Sequence, residues 1–460
     1  MNDLPTVLQS VDPTTGRPVR SVPVLAPGAV EQHIQSASRA FAMWRRTHPT
    51  DRADALRNLA RLLRTRKNDL ALLMAEEMGK PVVQGRAEIE KCAWVCEFYA
   101  DHLPSFLAPQ PVTTEWTRSY VDFQPLGPIL GVMPWNFPFW QVFRAAAPAL
   151  VAGNVFLLKH AANVPGCALA IAQLSRDAGL PEGILQVLPV RADQVGAIVD
   201  HPAIRGVTVT GSTTAGRAIA ARAGAALKKT VLELGGSDPY VILEDADLDQ
   251  AAETCANARL INTGQSCIAA KRFIVVEQVR AEFEARLLEQ LQTRNTGDPR
   301  NEQTLLGPLA RHDLRDQLHA QVQASLRMGA RCLCGGFLPD GPGAFYPPTL
   351  LTDVRPGMPV FDEETFGPVA AVVPARDEAD AIRLANQSPY GLGAAIFTRD
   401  IERGERLARE HLEAGVCTVN DFVRSDPRLP FGGIKDSGYG RELGLFGFRE
   451  FLNVKTVCVR

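Results

Sequence analysis

The sequence predicts an α/β protein built on doubly wound, largely parallel sheets. Three observations carry that expectation. Between residues 129 and 210 short apolar runs alternate with helical patterns, as in β-α-β units whose strands are covered on both faces. A second series of apolar runs begins at residue 239. At 460 residues the chain is also too long for one core, so two or three domains are expected.

After an irregular start rich in Pro, Thr and Gly, residues 29–46 read as one helix and 51–78 as another. Asp51 is placed to cap the second, Leu56, Leu59, Leu62 and Leu63 recur at helical spacing, and Gly79 with Pro81 stops it. A third helix, over 83–102, carries Cys92 and Cys96 on one face. From residue 117 the pattern turns to strands. Residues 118–123 alternate as a half-buried strand, and Pro125, Gly127 and Pro128 interrupt the chain before a strand over 129–133. Then come a helix over 145–150, a strand at 155–158, a helix over 168–177, a strand at 184–188, a helix near Val195 and a strand at 206–210. The last runs into Gly211-Ser212-Thr213-Thr214-Ala215-Gly216 and a helix over 217–226. Free N–H groups at such a helix mouth suit phosphate oxygens, although a plain strand-to-helix turn looks the same and the Gly-x-Gly-x-x-Gly fingerprint is missing. The second region offers strands at 239–243, 273–276, 369–373, 394–397 and 416–419, with a helix over 281–294 among those between them. A final strand at 455–459 follows the glycine-rich segment 432–449, and a terminal strand so isolated completes a sheet elsewhere in the chain or in a neighbour.

The net charge of -2, with no long run of like charge, argues against nucleic acid or an anionic membrane as partner and for a small molecule. Nine cysteines scattered without a framework suit free thiols in a reducing cytoplasm, and the first residues lack the basic start and apolar core of a signal peptide. Neither Cys92/Cys96 nor Cys332/Cys334 has the neighbouring ligands that a structural zinc site needs, so no metal is expected. The candidate nucleophile is Cys267, delivered by the polar loop Asn262-Thr263-Gly264-Gln265-Ser266 just before the apolar run Ile268-Ala269-Ala270. A loop-to-helix junction there would lower its pKa and favour the thiolate. A cysteine taken at random is more often an inert core thiol, and only the remaining motifs decide between the two.

Those motifs are Pro134-Trp135-Asn136-Phe137-Pro138, Lys159, Gly211-Ser212, Leu232-Glu233-Leu234-Gly235-Gly236, Gly264-Gln265-Ser266-Cys267, Glu363-Glu364-Thr365-Phe366-Gly367-Pro368 and Pro430-Phe431-Gly432-Gly433-Ile434-Lys435-Asp436-Ser437-Gly438. In this order they resemble the signature segments of the aldehyde dehydrogenase superfamily, from about residue 20 to the end. Leu158-Lys159-His160-Ala161, Gly235-Gly236-Ser237-Asp238-Pro239 and Gly438-Tyr439-Gly440-Arg441-Glu442-Leu443-Gly444 bring the shorter bacterial succinate-semialdehyde dehydrogenases nearest. The resemblance implies a Rossmann-like NAD(P)-binding domain over 1–114 and 126–235, an α/β catalytic domain over 236–445, and a small β oligomerisation element formed by 115–125 and 446–460. It also implies a homodimer or homotetramer.

A free planar aldehyde is a poor hydride donor, so its oxidation needs a tetrahedral intermediate. The resemblance makes Cys267 the nucleophile that forms a thiohemiacetal, with the Asn136 amide and the Cys267 N–H holding the oxyanion. Glu233, flanked by Leu232 and Leu234, is the candidate base for hydrolysing the resulting thioester, and a carboxylate paired with a cation in the core is the other reading. For NAD or NADP the resemblance points to Trp135, Lys159, Gly211, Ser212, Leu234, Glu364 and Phe366. Ala162 stands where many NAD-preferring relatives carry glutamate, which removes an anion that would repel a 2′-phosphate, and the choice between the two cofactors stays open. Arg144 matches an arginine that binds the distal carboxylate of succinate semialdehyde, or else is structural. A second arginine of some relatives is replaced by Ile261, for which Arg424 or Ser425 offers compensation. Other small aldehydes are the alternative substrates. The presence of Glu233 argues against a CoA-acylating enzyme, and a cysteine hydrolase would leave Lys159, Ser212 and Glu364 without a purpose.

Overall fold

The computed structural model describes residues 6–460, and the N-terminal residues 1–5, read above as lacking a leader, lie outside them. The chain opens with a hairpin of β1 (Val7–Val11) and β2 (Pro18–Pro23) where an irregular start was expected. Its turn is stabilised locally: the Asp12 carboxylate accepts from Thr14 N at 2.8 Å and Gly16 takes φ +71°. Four helices follow, α1 (Pro27–Trp44), α2 (Pro49–Thr65), α3 (Lys67–Met78) and α4 (Val82–Phe106). The single helix expected over 51–78 is therefore two, broken at Arg66 (φ -100°, ψ 11°), and both pack on α4. The cap of α2 is His48, which accepts from Thr50 N, whereas Asp51 sits in the first turn. Leu56, Leu59 and Leu63 do form its buried stripe.

Two short strands, β3 (Gln110–Pro111) and β4 (Arg118–Pro125), precede the first large sheet. That sheet is built from β5 (Pro128–Met133), β6 (Val155–His160), β7 (Leu185–Val187), β8 (Gly206–Thr210) and β9 (Lys229–Glu233), all parallel. The helices α5 (Trp140–Val151), α6 (Pro165–Asp177), α7 (Val195–Asp200) and α8 (Thr213–Ala225) connect them. Strand β9 was missed from the sequence, although Thr230-Val231-Leu232 is a β-branched and apolar run. It is the strand that ends on Glu233.

The second sheet begins with β10 (Asp238–Ile242), α9 (Leu248–Leu260), β11 (Ala270–Val276), α10 (Glu277–Gln292) and α11 (His312–Arg327). It continues through β12 (Arg331–Cys334), β13 (Thr349–Thr352), α12 (Pro359–Asp362), β14 (Val369–Ala375), α13 (Glu378–Asn386), β16 (Gly393–Phe397), α14 (Ile401–Glu410) and β17 (Val416–Val419), while β15 (Tyr390–Gly391), just before β16, stands outside this sheet. Its strand order is β12-β13-β14-β11-β10-β16-β17, parallel but for β12. The chain then passes β18 (Ile434–Lys435), β19 (Gly438–Tyr439), which adds antiparallel to β9, α15 (Gly444–Arg449) and β20 (Leu452–Val459). The terminal strand completes a sheet within the chain, pairing with β4 along its whole length in the order β20-β4-β3. No helix among the described residues is long and apolar enough to cross a membrane.

One buried ion pair fixes α5, and with it the segment 134–138. The Lys80–Glu88 pair is almost inaccessible, its side chains 0% and 1% exposed. The other oxygen of Glu88 accepts from Phe139 N and Trp140 N at 2.9 Å each, neutralising the N-terminus of α5. Lys80 also lies 3.8 Å from the Phe137 ring centroid. Removing one partner of such a pair leaves a buried charge uncompensated, so Lys80→Met is expected to cost about 3–5 kcal/mol in urea unfolding. Replacing half-buried Lys67, whose partner Glu90 is on the surface, should by comparison cost about 1 kcal/mol or less.

Candidate active site

Cys267 lies in the loop between α9 and β11, after a 3-10 turn at Ile261–Gly264. Asn262, Thr263 and Gly264 take φ of 53°, 54° and 76°, three left-handed residues in succession. A Cβ on Gly264 would meet the carbonyl of Gly367 at 2.3 Å, so only glycine fits there. Side chains hold the turn. The Asn262 amide donates to Asn136 O at 2.7 Å and to Gln265 O at 3.0 Å, and Arg259 donates to Gly264 O at 2.6 Å. Lys271, fully buried, donates from Nζ to Ser266 O at 3.0 Å, Cys267 O at 2.8 Å and Ala269 O at 3.2 Å.

The expectation of a helix junction that acidifies the thiol is corrected here. Cys267 precedes a strand, and burial pushes its pKa up to about 12, against the pull of Arg144 and Lys271. The resting group is a thiol.

Cys267 lines two cavities. The larger, about 390 Å³, is walled by Trp135, Asn136, Gly211, Ser212, Leu234 and Glu364, with Phe366 beside them. Trp135 and Phe366 meet edge to face, their centroids 5.7 Å apart. Ser212 caps α8 by accepting from Ala215 N at 3.3 Å, so the helix begins at Thr213, four residues before the expected start. A Cβ built on Gly211 meets nothing within 4 Å, which leaves the mouth of α8 open to a ligand. Glu364 accepts from Gly236 N at 3.0 Å. Asn136 is 3% exposed and donates to Gln265 O at 3.1 Å, which leaves its second N–H available. Lys159 and Ala162 are not part of this wall: Lys159 sits half-buried on β6, its pKa lowered by burial, and Ala162 is exposed just beyond that strand.

The smaller cavity, about 210 Å³, brings Cys267 together with Arg144, Ile261, Arg424, Ser425 and Lys91. Arg144 is 2% exposed. It pairs with Glu442, lies 4.9 Å from the Phe431 ring centroid and donates to Thr210 Oγ1 at 3.4 Å. Glu233, at the end of β9, is 2% exposed and lines neither cavity. Neither of its carboxylate oxygens has a hydrogen-bond partner. Burial raises its pKa well above the usual carboxylate range, Arg144 pulls it down and Glu442 pushes it up.

Sequence reasoning passed over Gln141, which lines both cavities, and Lys271, Lys91 and Glu442. Glu442 lay inside a quoted motif without a role. Lys91 lay among residues read as helix packing, and only an ammonium one turn after Glu88 on an otherwise apolar face marked it.

A half-buried thiol shared by two cavities, with an amide, an unpartnered carboxylate and an open helix mouth nearby, defines an enzyme centre. The chain belongs to the aldehyde dehydrogenase family, whose model matches residues 2–457. It is similar to the succinate semialdehyde dehydrogenase [NAD(P)+] Sad of Escherichia coli, 47% identical over 448 residues, with 97% of each chain covered. A probable succinate-semialdehyde dehydrogenase [NADP(+)] of Synechocystis is 48% identical over 452 residues, covering 98% of this chain and 99% of the relative. The crystal structure of succinic semialdehyde dehydrogenase from Streptococcus pyogenes in complex with NADP+ superposes with a TM-score of 0.96 at 36% identity, covering 98% of this chain and 99% of that one.

Alkylation tests the state of the thiol. Because the pKa is raised, the thiolate fraction keeps growing through pH 10, so the iodoacetamide rate at Cys267, followed by peptide mass spectrometry, should climb about tenfold per pH unit. Exposed Cys458 serves as internal reference. A plateau near pH 9 at Cys267 contradicts the raised value.

Proposed function

We propose that this chain oxidises succinate semialdehyde to succinate with NAD or NADP, through a thiohemiacetal and a thioester on Cys267. The observation that carries the reading is the position of Cys267 on the walls of both cavities, one with an open helix mouth and one with cations. The names of the relatives above support the choice of substrate and cofactor. The larger cavity fits a dinucleotide. Gly211, Ser212 and the N–H groups of α8 would meet the pyrophosphate, Glu364 would hold a ribose diol, Trp135, Leu234 and Phe366 would pack beside the nicotinamide end, and Lys159 with Ala162 would face the adenosine ribose. Bound there, the nicotinamide accepts the hydride.

The chain's own groups perform the remaining steps. The Glu233 carboxylate takes the thiol proton and passes it to solvent, and sulfur bonds to the aldehyde carbon, while the carbonyl oxygen takes the electron pair and is held by Asn136 Nδ2–H and the Cys267 N–H. Loss of hydride from that carbon leaves the thioester. Glu233 then takes a proton from water as the water oxygen attacks the acyl carbon, the C–S bond breaks, and Glu233 returns that proton to the sulfur. A carboxylate with a raised proton affinity suits this base role.

We further assign residues 1–114 and 126–235 to cofactor binding and 236–445 to catalysis. The β20-β4-β3 sheet is assigned to self-association, since most of β20 is exposed. A cytoplasmic location suits the nine free cysteines.

Rapid mixing tests the chemistry. Cys267→Ala should abolish reduction of the cofactor. Glu233→Gln should retain a burst of reduced cofactor and then turn over at least about 100-fold more slowly, within the range a general base contributes. A full steady-state rate in Glu233→Gln removes Glu233 as the deacylation base.

A further inference from the structure

The smaller cavity is lined by three cations, and their pairing differs. Arg144 is committed to Glu442, so its charge is already neutralised within the protein. Arg424 reaches outward to Asp421, and both side chains are largely exposed. Lys91, on α4, has no carboxylate within ion-pair distance among the described residues. Its Nζ donates to Ser425 Oγ at 2.9 Å and lies 4.4 Å from the centroid of the Trp140 ring.

An ammonium has three donors, and Ser425 uses one. The serine hydroxyl, accepting from Lys91, keeps its own O–H to give. Together they present two converging donors and one uncompensated positive charge beside the apolar Phe137, Trp140 and Ile261, in the cavity that holds the nucleophile. We propose that Lys91, assisted by Ser425, receives the distal carboxylate of the substrate and so selects anionic semialdehydes over uncharged aldehydes of equal length. This rests on the substrate reading above and adds Lys91 to Arg144 as a cation on the wall of the same cavity.

Burial supports the assignment: together with the smaller push from Arg144 it brings the Lys91 pKa down to about 8. The charged and titratable groups facing Lys91 are Arg144 on α5, Asp426 in the loop before Pro430, and Glu88 and Cys92 on its own helix. The last three offset the effect only in part. A bound carboxylate supplies the missing countercharge.

The test compares kcat/KM for succinate semialdehyde and butanal in the wild type, Lys91→Met and Lys91→Arg. The preference for succinate semialdehyde should fall roughly 10- to 100-fold in Lys91→Met, the range of one charge-assisted hydrogen bond, chiefly through KM, and should largely return in Lys91→Arg. A Lys91→Met enzyme with the wild-type preference overturns the role of Lys91 and leaves the substrate reading standing. A wild-type enzyme with no preference for succinate semialdehyde overturns both. Folding of the variants is not needed for a second readout. In the wild type, the KM for succinate semialdehyde should rise as the pH passes about 8, relative to that for butanal, and a constant ratio from pH 7 to 9.5 overturns the proposal.

Discussion

One buried cation shared between two buried carboxylates sets the character of the whole site. Arg144 lies with Glu442 and Glu233 where water is nearly excluded, and its ion pair goes to Glu442. Glu442 also accepts from Thr208 Oγ1 at 3.2 Å, whereas both oxygens of Glu233 go without a partner. A charge left bare in a low-dielectric interior is expensive, and the cheapest response is to keep the proton. Burial raises both carboxyl groups, and Glu233, the one the guanidinium does not touch, rises well above the ordinary range.

The second element of the site is backbone geometry. Two successive non-glycine residues held left-handed, Asn262 and Thr263, are costly, and the structure surrounds the turn with fixed partners: Asn136, Gln265, Arg259 and above all Lys271, whose three donors bind carbonyls on both sides of Cys267. The strain pays for a turn that carries the thiol off the end of α9 and presents it to both cavities. Lys271 in addition lends positive potential to the sulfur, so one side chain serves both position and charge.

The parts of this arrangement that were legible in the sequence are those encoded locally. Apolar runs marked most of the central strands, and the resemblance of their motifs to the aldehyde dehydrogenase signatures singled out Cys267, Asn136 and Glu364, which line one cavity. Elements whose reason is tertiary were not legible. Strand β9 is short and was masked by the glycines that follow it, the hairpin β1–β2 depends on a side-chain turn at Asp12, and the break at Arg66 reflects the need of two helices to lie on α4. The raised pKa of Cys267 could not be read either, because sequence neighbours suggested a helix mouth where the fold supplies a strand and a dry wall. The pairing of Arg144 with Glu442 joins residues 298 positions apart, a separation no local pattern reveals.

Helix α4 carries Glu88, which secures the start of α5 next to Asn136, and one turn later Lys91, which faces the smaller cavity. The same rigid rod therefore supports the segment that holds Asn136 and lines the smaller cavity. Drift in this helix would be penalised twice, so it is a poor place for evolutionary experiment. The loop holding Phe422, Arg424 and Ser425 touches the same compartment without anchoring α5. Divergence towards new aldehydes in descendants of this chain is expected to accumulate in that loop, while the helix opposite stays frozen.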